Sequence, residues 1–151
     1  MAIFEPYSEP LKDEWLDFYG HLNEAYYVVA FTNAGFDLVE QYDLGQNYFE
    51  RTSCAFYTLE SHIRYLKEVR APAVVEIEHL ILGSDEKRIH YGMVMKVEDI
   101  ERSTFEGIVI HVDTNAGRST SMPKDFQATL KDAQVEELPS WAGRGISLQR
   151  K

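Results

Sequence analysis

In the stretch Asp17-Phe18-Tyr19-Gly20-His21-Leu22-Asn23-Glu24-Ala25, a carboxylate stands six residues ahead of Asn23, the polar start of an apolar segment with helical spacing. The first amides of a helix lack intrahelical partners and carry the positive end of the helix dipole. A carboxylate beside them can attack a carbonyl carbon or activate water while those amides hold the developing oxyanion. Asp17 is the candidate for that work, with His21 and Asn23 as candidates to orient the turn or the water. The plainer alternative makes Asp17 a turn residue, Asn23 a cap and His21 a hydrogen-bonding group of the loop. His62, His79, His90 and His111 are dispersed without paired ligand spacing, so no metal is expected.

These residues need elements to hold them. Leu11 to Leu16 alternates as a short strand leading into the Asp17 turn. From Ala25 the apolar residues Val28, Val29, Phe36 and Val39, widened by Tyr26, Phe31 and Leu38, predict a long helix buried on more than one side. Gly45 is its expected stop, and Gly35 is expected to mark close packing against a neighbour. Gln46 to Arg51 reads as a polar connector or one more helical turn, after which the period changes to two. Strands are expected at Cys54 to Leu66, Ala73 to Leu82, Arg88 to Glu98 and Thr104 to Val112, with turns at Gly83 to Lys87 and Asp99 to Ser103. Lys124 to Ala133, just after Pro123, reads as a short helix, and a surface tail follows. The order is strand, long helix, four strands in meander and short helix. It implies an α+β fold, an antiparallel sheet of five strands curled around a central helix, with edges that call for a second copy. The expectation is a single domain over 1–151, of which 123–151 is the short helix and tail.

The bulk composition sets limits. With 151 residues, 44% hydrophobic and 26% charged, the chain suits one globular core. A formal charge of -10 disfavours nucleic acid or an anionic membrane surface as partner and favours a cationic ligand. The lone Cys54 rules out an intramolecular disulfide and a thiolate metal cluster. An acidic N-terminus and the lack of a long apolar run lead us to expect a cytoplasmic protein. A polyphosphate can still bind locally at Lys87-Arg88, at Lys67 with Arg70, or at Arg118.

Asp17, Gly20, His21 and Asn23, with the order of elements, resemble the D-x-x-G-H-x-N signature of hot-dog fold acyl-CoA thioesterases of the 4-hydroxybenzoyl-CoA thioesterase type. Further details resemble the betainyl-CoA thioesterases of carnitine degradation. These are Trp15-Leu16-Asp17, Asn23-Glu24-Ala25-Tyr26-Tyr27, Glu60 to Leu66, and His111-Val112-Asp113-Thr114 running on to Ala116-Gly117-Arg118. The chain departs from the general pattern at Glu24, where a second Asn is usual, and a cationic acyl group would explain that acid.

The resemblance implies hydrolysis of a small acyl-CoA, with Asp17 as nucleophile or general base and amides near Asn23 to Ala25 as the oxyanion hole. It implies a homo-oligomer, dimer or tetramer, whose site lies between subunits, so that Glu60, Ser61 and His62 complete it from a partner. No cofactor is implied beyond the coenzyme A of the substrate, whose phosphates are assigned to Lys87, Arg88 and Arg118. Trp15, Phe18, Tyr19, Tyr26 and Tyr27 form a candidate cage for a trimethylammonium group, with Glu24 or Glu60 nearby; the alternative is that these rings are packing. Three rival functions stay open: a non-catalytic hot-dog module that binds acyl thioesters, a thioesterase for another short-chain or aromatic acyl-CoA, and a hydratase or dehydratase.

Overall fold

The computed structural model describes residues 4–146. Strand β1 is Tyr7–Pro10, followed by a 3-10 turn at Asp13–Trp15. Then come α1 at Glu24–Gln41, α2 at Gln46–Thr52 and β2 at Cys54–Tyr65. The chain continues with β3 at Val74–Ser84, β4 at Arg88–Val97, β5 at Ile100–Asp113, the two-residue β6 at Arg118–Ser119, and α3 at Lys124–Ala133. The sheet is antiparallel with strand order β1-β3-β4-β5-β2, and β6 adds to β5. It curls around α1, as expected.

Several expectations are corrected in detail. The first strand is Tyr7–Pro10 rather than Leu11 to Leu16, because the latter folds into the 3-10 turn that buries Trp15. Only β3, β4 and β5 form a meander; β2 crosses to the far side and pairs with β5. The turn expected over Asp99 to Ser103 is shorter. Glu98 and Asp99 both adopt positive φ, 53° and 62°, the geometry of a two-residue hairpin turn, so β5 starts at once at Ile100. Helix α1 ends at Gln41 with Asp43 in the left-handed region, while Gly45 caps the start of α2.

Helix α1 buries Tyr27, Ala30, Phe31 and Ala34, a stripe at spacings three and four that meets the inner face of the sheet through Ile77, Met93, Met95 and Phe105. Val28, Val29 and Phe36, expected within the buried stripe, stay exposed. Gly35 has open space around it, contrary to the expected close packing: a Cβ there would meet nothing within 4 Å. A second cluster of Leu44, Tyr48, Ile81, Ile89, Met122, Phe126 and Leu130 seats α2 and α3 against the other end of the sheet. Burying each of these large side chains contributes about 1.5–3 kcal/mol. At its heart His111 Nδ1–H donates to Thr120 O at 2.9 Å, which leaves Nε2 to accept from the Tyr48 hydroxyl at 2.9 Å.

Beyond α3 the chain crosses the outer face. Gln134 bridges to Ile81, the Trp141 ring sits where a Gly92 side chain would be, and the Gly143 N–H donates to Glu106 Oε1 at 2.8 Å. The last five residues of the expected tail lie outside the described residues.

Candidate active site

Asp17 stands on a tight loop whose two sides are paired. The Asp17 N–H donates to His21 O at 2.9 Å, Leu16 bridges Leu22, and the Asn23 N–H donates to Trp15 O at 2.8 Å. Gly20 turns the loop at φ +79°, in the left-handed region that glycine tolerates. Asp17 Oδ1 accepts from the Tyr19 N–H at 2.9 Å and the His21 N–H at 3.3 Å. Those bonds fix the carboxylate plane. Oδ2 is left without a protein partner, and among the described residues no cation pairs with Asp17.

The loop leads directly into α1. Asn23 caps the helix, its side chain accepting from the Ala25 N–H at 3.0 Å, while the Tyr26 N–H donates to Asn23 O at 2.9 Å. The Asn23 N–H is already taken by Trp15 O. Of the amides from Asn23 to Ala25, the Glu24 N–H alone donates to no described protein group. It is the free donor that the start of this helix offers.

His21 reaches Asp17 through its backbone amide only. Its ring Nε2 lies 3.0 Å from Glu68 Oε2 without making a hydrogen bond. Glu68 also accepts from Arg70 Nε at 2.9 Å; that bond first, and the neighbouring cations after it, hold its carboxyl below the usual range. The ring is thus directed at the β2–β3 connection and away from the carboxylate it was expected to assist.

The aromatic set divides. Trp15 and Tyr27 are core residues, 3% and 4% exposed. Lys12 Nζ lies 5.1 Å from the Trp15 ring centroid, and Tyr26 stacks on Trp15 at 6.2 Å. Tyr27 meets Tyr65 edge-on at 4.9 Å, and burial, followed by that neighbour, pushes its hydroxyl pKa up. These three rings are packing, which corrects their assignment to a cage. Phe18 and Tyr19, 89% and 65% exposed with centroids 4.1 Å apart, present free faces next to Asp17. Glu24 is exposed one residue beyond the cap.

A bulge at Leu59 decides the fate of the β2 residues. The pairing steps from Thr58 opposite Val109 to Glu60 opposite Ile108, which reverses the alternation. Ser61 therefore faces inward and lines a cavity of about 740 Å³ with Phe31, Thr32, Gly35, His79 and Tyr91. Glu60 and His62, expected at the site, lie on the outer face within this protomer. The cavity begins at Val28, one helical turn past Glu24, and Asp17 is not among its lining residues. Inside it His79 Nε2 is sealed and unpartnered, and burial lowers that ring's pKa to about 4. Burial pushes Tyr91 up to about 12, so its hydroxyl stays protonated.

The basic residues assigned to coenzyme A stand elsewhere. Lys87 and Arg88 follow β3, and Arg118 pairs with Asp113 at the end of β5; all three lie at the opposite end of the sheet from Asp17. Arg88 is moreover held by Asp85 at 2.6 and 2.8 Å. The fold does not bring these three to the Asp17 loop within one protomer.

With this geometry in place, comparison with known proteins gives the family: residues 11–130 match the family described as the thioesterase-like superfamily. The chain belongs to that superfamily. A Pseudomonas aeruginosa relative named betainyl-CoA thioesterase is 28% identical, over 97% of this chain and 96% of its own length. An Agrobacterium fabrum relative named L-carnitine dehydrogenase/betainyl-CoA thioesterase is 36% identical over 90% of this chain, which spans only 29% of that relative. A hypothetical protein of Staphylococcus aureus, solved in complex with CoA, superimposes with a TM-score of 0.88 at 23% identity, over 99% of both chains, and shares the fold.

Glu68, Thr32 and His79 were missed by sequence reasoning. Glu68 had a signal, since it lies between the two basic residues Lys67 and Arg70. The other two, on α1 and β3, meet at the cavity only because the sheet curls around the helix.

Among the described residues no helix is long and apolar enough to cross a membrane, and no group of three or more His, Cys, Asp or Glu is arranged to hold a metal.

Proposed function

We propose that this chain is a cytoplasmic acyl-CoA thioesterase that hydrolyses a small cationic acyl-CoA, betainyl-CoA or a close relative, with Asp17 as nucleophile or general base. One observation carries the reading: a carboxylate clamped through one oxygen by the Tyr19 and His21 amides, with its second oxygen free, beside a helix start whose Glu24 N–H has no partner. The free oxygen attacks the thioester carbon or takes a proton from water. The negative charge arriving on the carbonyl oxygen is met by the Glu24 N–H and the dipole of the 18-residue α1. Asn23 keeps the helix start open by capping Ala25 and leaving Glu24 unused.

The relatives named for betainyl-CoA support the acyl group. In a betainyl thioester the quaternary nitrogen is two bonds from the carbonyl carbon, about 2.5 Å away. Whatever recognises the cation must therefore border Asp17. Phe18 and Tyr19 meet that demand with exposed ring faces, and Asp17 and Glu24 supply negative charge without a paired cation. Each ring face contributes about 0.5–2 kcal/mol toward such a cation.

The same reading includes a homo-oligomer, dimer or tetramer, with the site between copies. The free edge of β2 carries exposed Tyr57 and Leu59, and α1 exposes Val28, Val29 and Phe36, an apolar surface that a second copy would cover. Light scattering gives the assembly mass directly.

The deciding experiment follows free thiol released from betainyl, acetyl, butyryl and aromatic CoA thioesters by wild type and Asp17→Asn. Fast release from the betainyl ester, lost in the variant, is the expected result. Tight binding without release would make the chain a non-catalytic thioester-binding module instead.

A further inference from the structure

The β2–β3 connection, Leu66 to Ala73, runs beside the Asp17 loop: the Leu22 N–H donates to Val69 O at 2.8 Å, and His21 bridges Arg70. It concentrates positive charge in an acidic chain. Lys67 and Arg70 stand on it, Arg64 precedes it on β2, and Arg102 packs under it, with Nη1 donating to Glu68 O at 3.0 Å. Among the described residues Lys67 and Arg64 form no ion pair, and Arg102 Nε is sealed from solvent with no acceptor. Glu68 is the one acid on the connection, and it is occupied by Arg70 and His21. Four cations with one shared counter-ion describe a surface that lacks an anion.

We infer that this connection, chiefly Lys67 with Arg64 and Arg102, binds the phosphates of the coenzyme A carried by the substrate. The inference rests on the hydrolase reading above and supplies what that reading lacks, a phosphate site on the segment that flanks the Asp17 loop. Reach favours it. Asp17 faces His21 and His21 faces Arg70, two strand spacings or about 10 Å, and Lys67 is three residues, at most about 10 Å, further on. The extended pantetheine arm spans about 15 Å from its sulfur to the first phosphorus, about thirteen bonds along. Lys87 lies beyond the whole of β3, whose 11 residues extend about 35 Å. A thioester held at Asp17 therefore brings its diphosphate to the connection of its own protomer and not to that protomer's Lys87, Arg88 or Arg118.

The test compares two thioesters of one acyl group, that of coenzyme A and that of N-acetylcysteamine, which has no phosphates, using full-length wild type, Lys67→Ala, Arg64→Ala, Lys67→Arg and Lys87→Ala. Lys67→Ala and Arg64→Ala are expected to raise KM for the CoA ester about tenfold with kcat little changed, and to leave the N-acetylcysteamine ester unaffected. Lys67→Arg should restore KM, added salt should narrow the gap between the variants and wild type, and Lys87→Ala should match wild type. The inference is overturned if KM for the CoA ester stays within about twofold in both alanine variants, if both esters suffer equally, or if Lys87→Ala alone raises it. Should wild type cleave neither ester, the hydrolase reading falls, and calorimetric titration of free coenzyme A into wild type and Lys67→Ala decides the phosphate site by itself.

Discussion

Replacing His79 by Leu should remove most of the acid sensitivity of folding between pH 7.5 and 5. The ring lies on β3, facing the cavity beside α1, with Nε2 sealed and unpartnered, and it meets the Phe4 ring edge-on with centroids 6.5 Å apart. Burial disfavours the imidazolium, only partly offset by the Asp37 carboxylate, so the folded pKa falls to about 4 against an ordinary 6.5. Between those values the unfolded chain takes up a proton that the folded chain refuses. Stability therefore declines as pH falls below 6.5 and levels off once pH is under about 4. At pH 5 the ratio of the two binding polynomials is about 30, or about 2 kcal/mol, against less than about 0.1 kcal/mol at pH 7.5. Against a total stability of about 5–15 kcal/mol that is a large share. Glu68 and Asp85, whose carboxyl pKa values are lowered, contribute stability that is lost only at more acid pH, below this window. Urea midpoints followed by circular dichroism at pH 7.5, 6 and 5, for wild type and His79→Leu, measure the difference. A parallel decline in the two proteins would refute the reasoning and mean that the buried ring keeps its proton through contacts made on folding.

Asp17→Asn should preserve the loop, since an amide oxygen still accepts from Tyr19 and His21, while Asp17→Ala loses both bonds and about 1–2 kcal/mol in thermal or urea unfolding. Both should lose at least a hundredfold in thiol release, and an Asn variant that keeps a tenth of wild-type activity would exclude the carboxylate from the chemistry. Phe18→Leu should raise KM for the betainyl ester about 2–30-fold relative to the neutral isostere 3,3-dimethylbutyryl-CoA, and an unchanged ratio would remove that ring from cation recognition. Tyr48→Phe should cost about 1–2 kcal/mol in urea unfolding, because His111 Nδ1 is committed to Thr120 O and Nε2 is left buried without a donor.

The sequence by itself determined the local features. The spacing of Asp17, Gly20 and Asn23 fixes a tight loop and a capped helix, since a left-handed turn and an N-cap are properties of a few consecutive residues. The change of period after Arg51 marked the passage to strands, and Pro123 marked the start of α3. Tertiary structure alone decided the pairings that join distant residues. That β2 lies beside β5 rather than β3 follows from closing a sheet around α1, and no local pattern records it. The single extra residue at Leu59 turned Ser61 inward and Glu60 and His62 outward, a reversal of alternation that a run of mixed residue types conceals. The curl of the sheet also chose which aromatic rings became core and which stayed free beside the carboxylate. Likewise the sheet's direction set Lys67 near Asp17 and Lys87 a strand's length away, because which of two basic turns faces a given loop depends on how the strands run and not on the turns themselves.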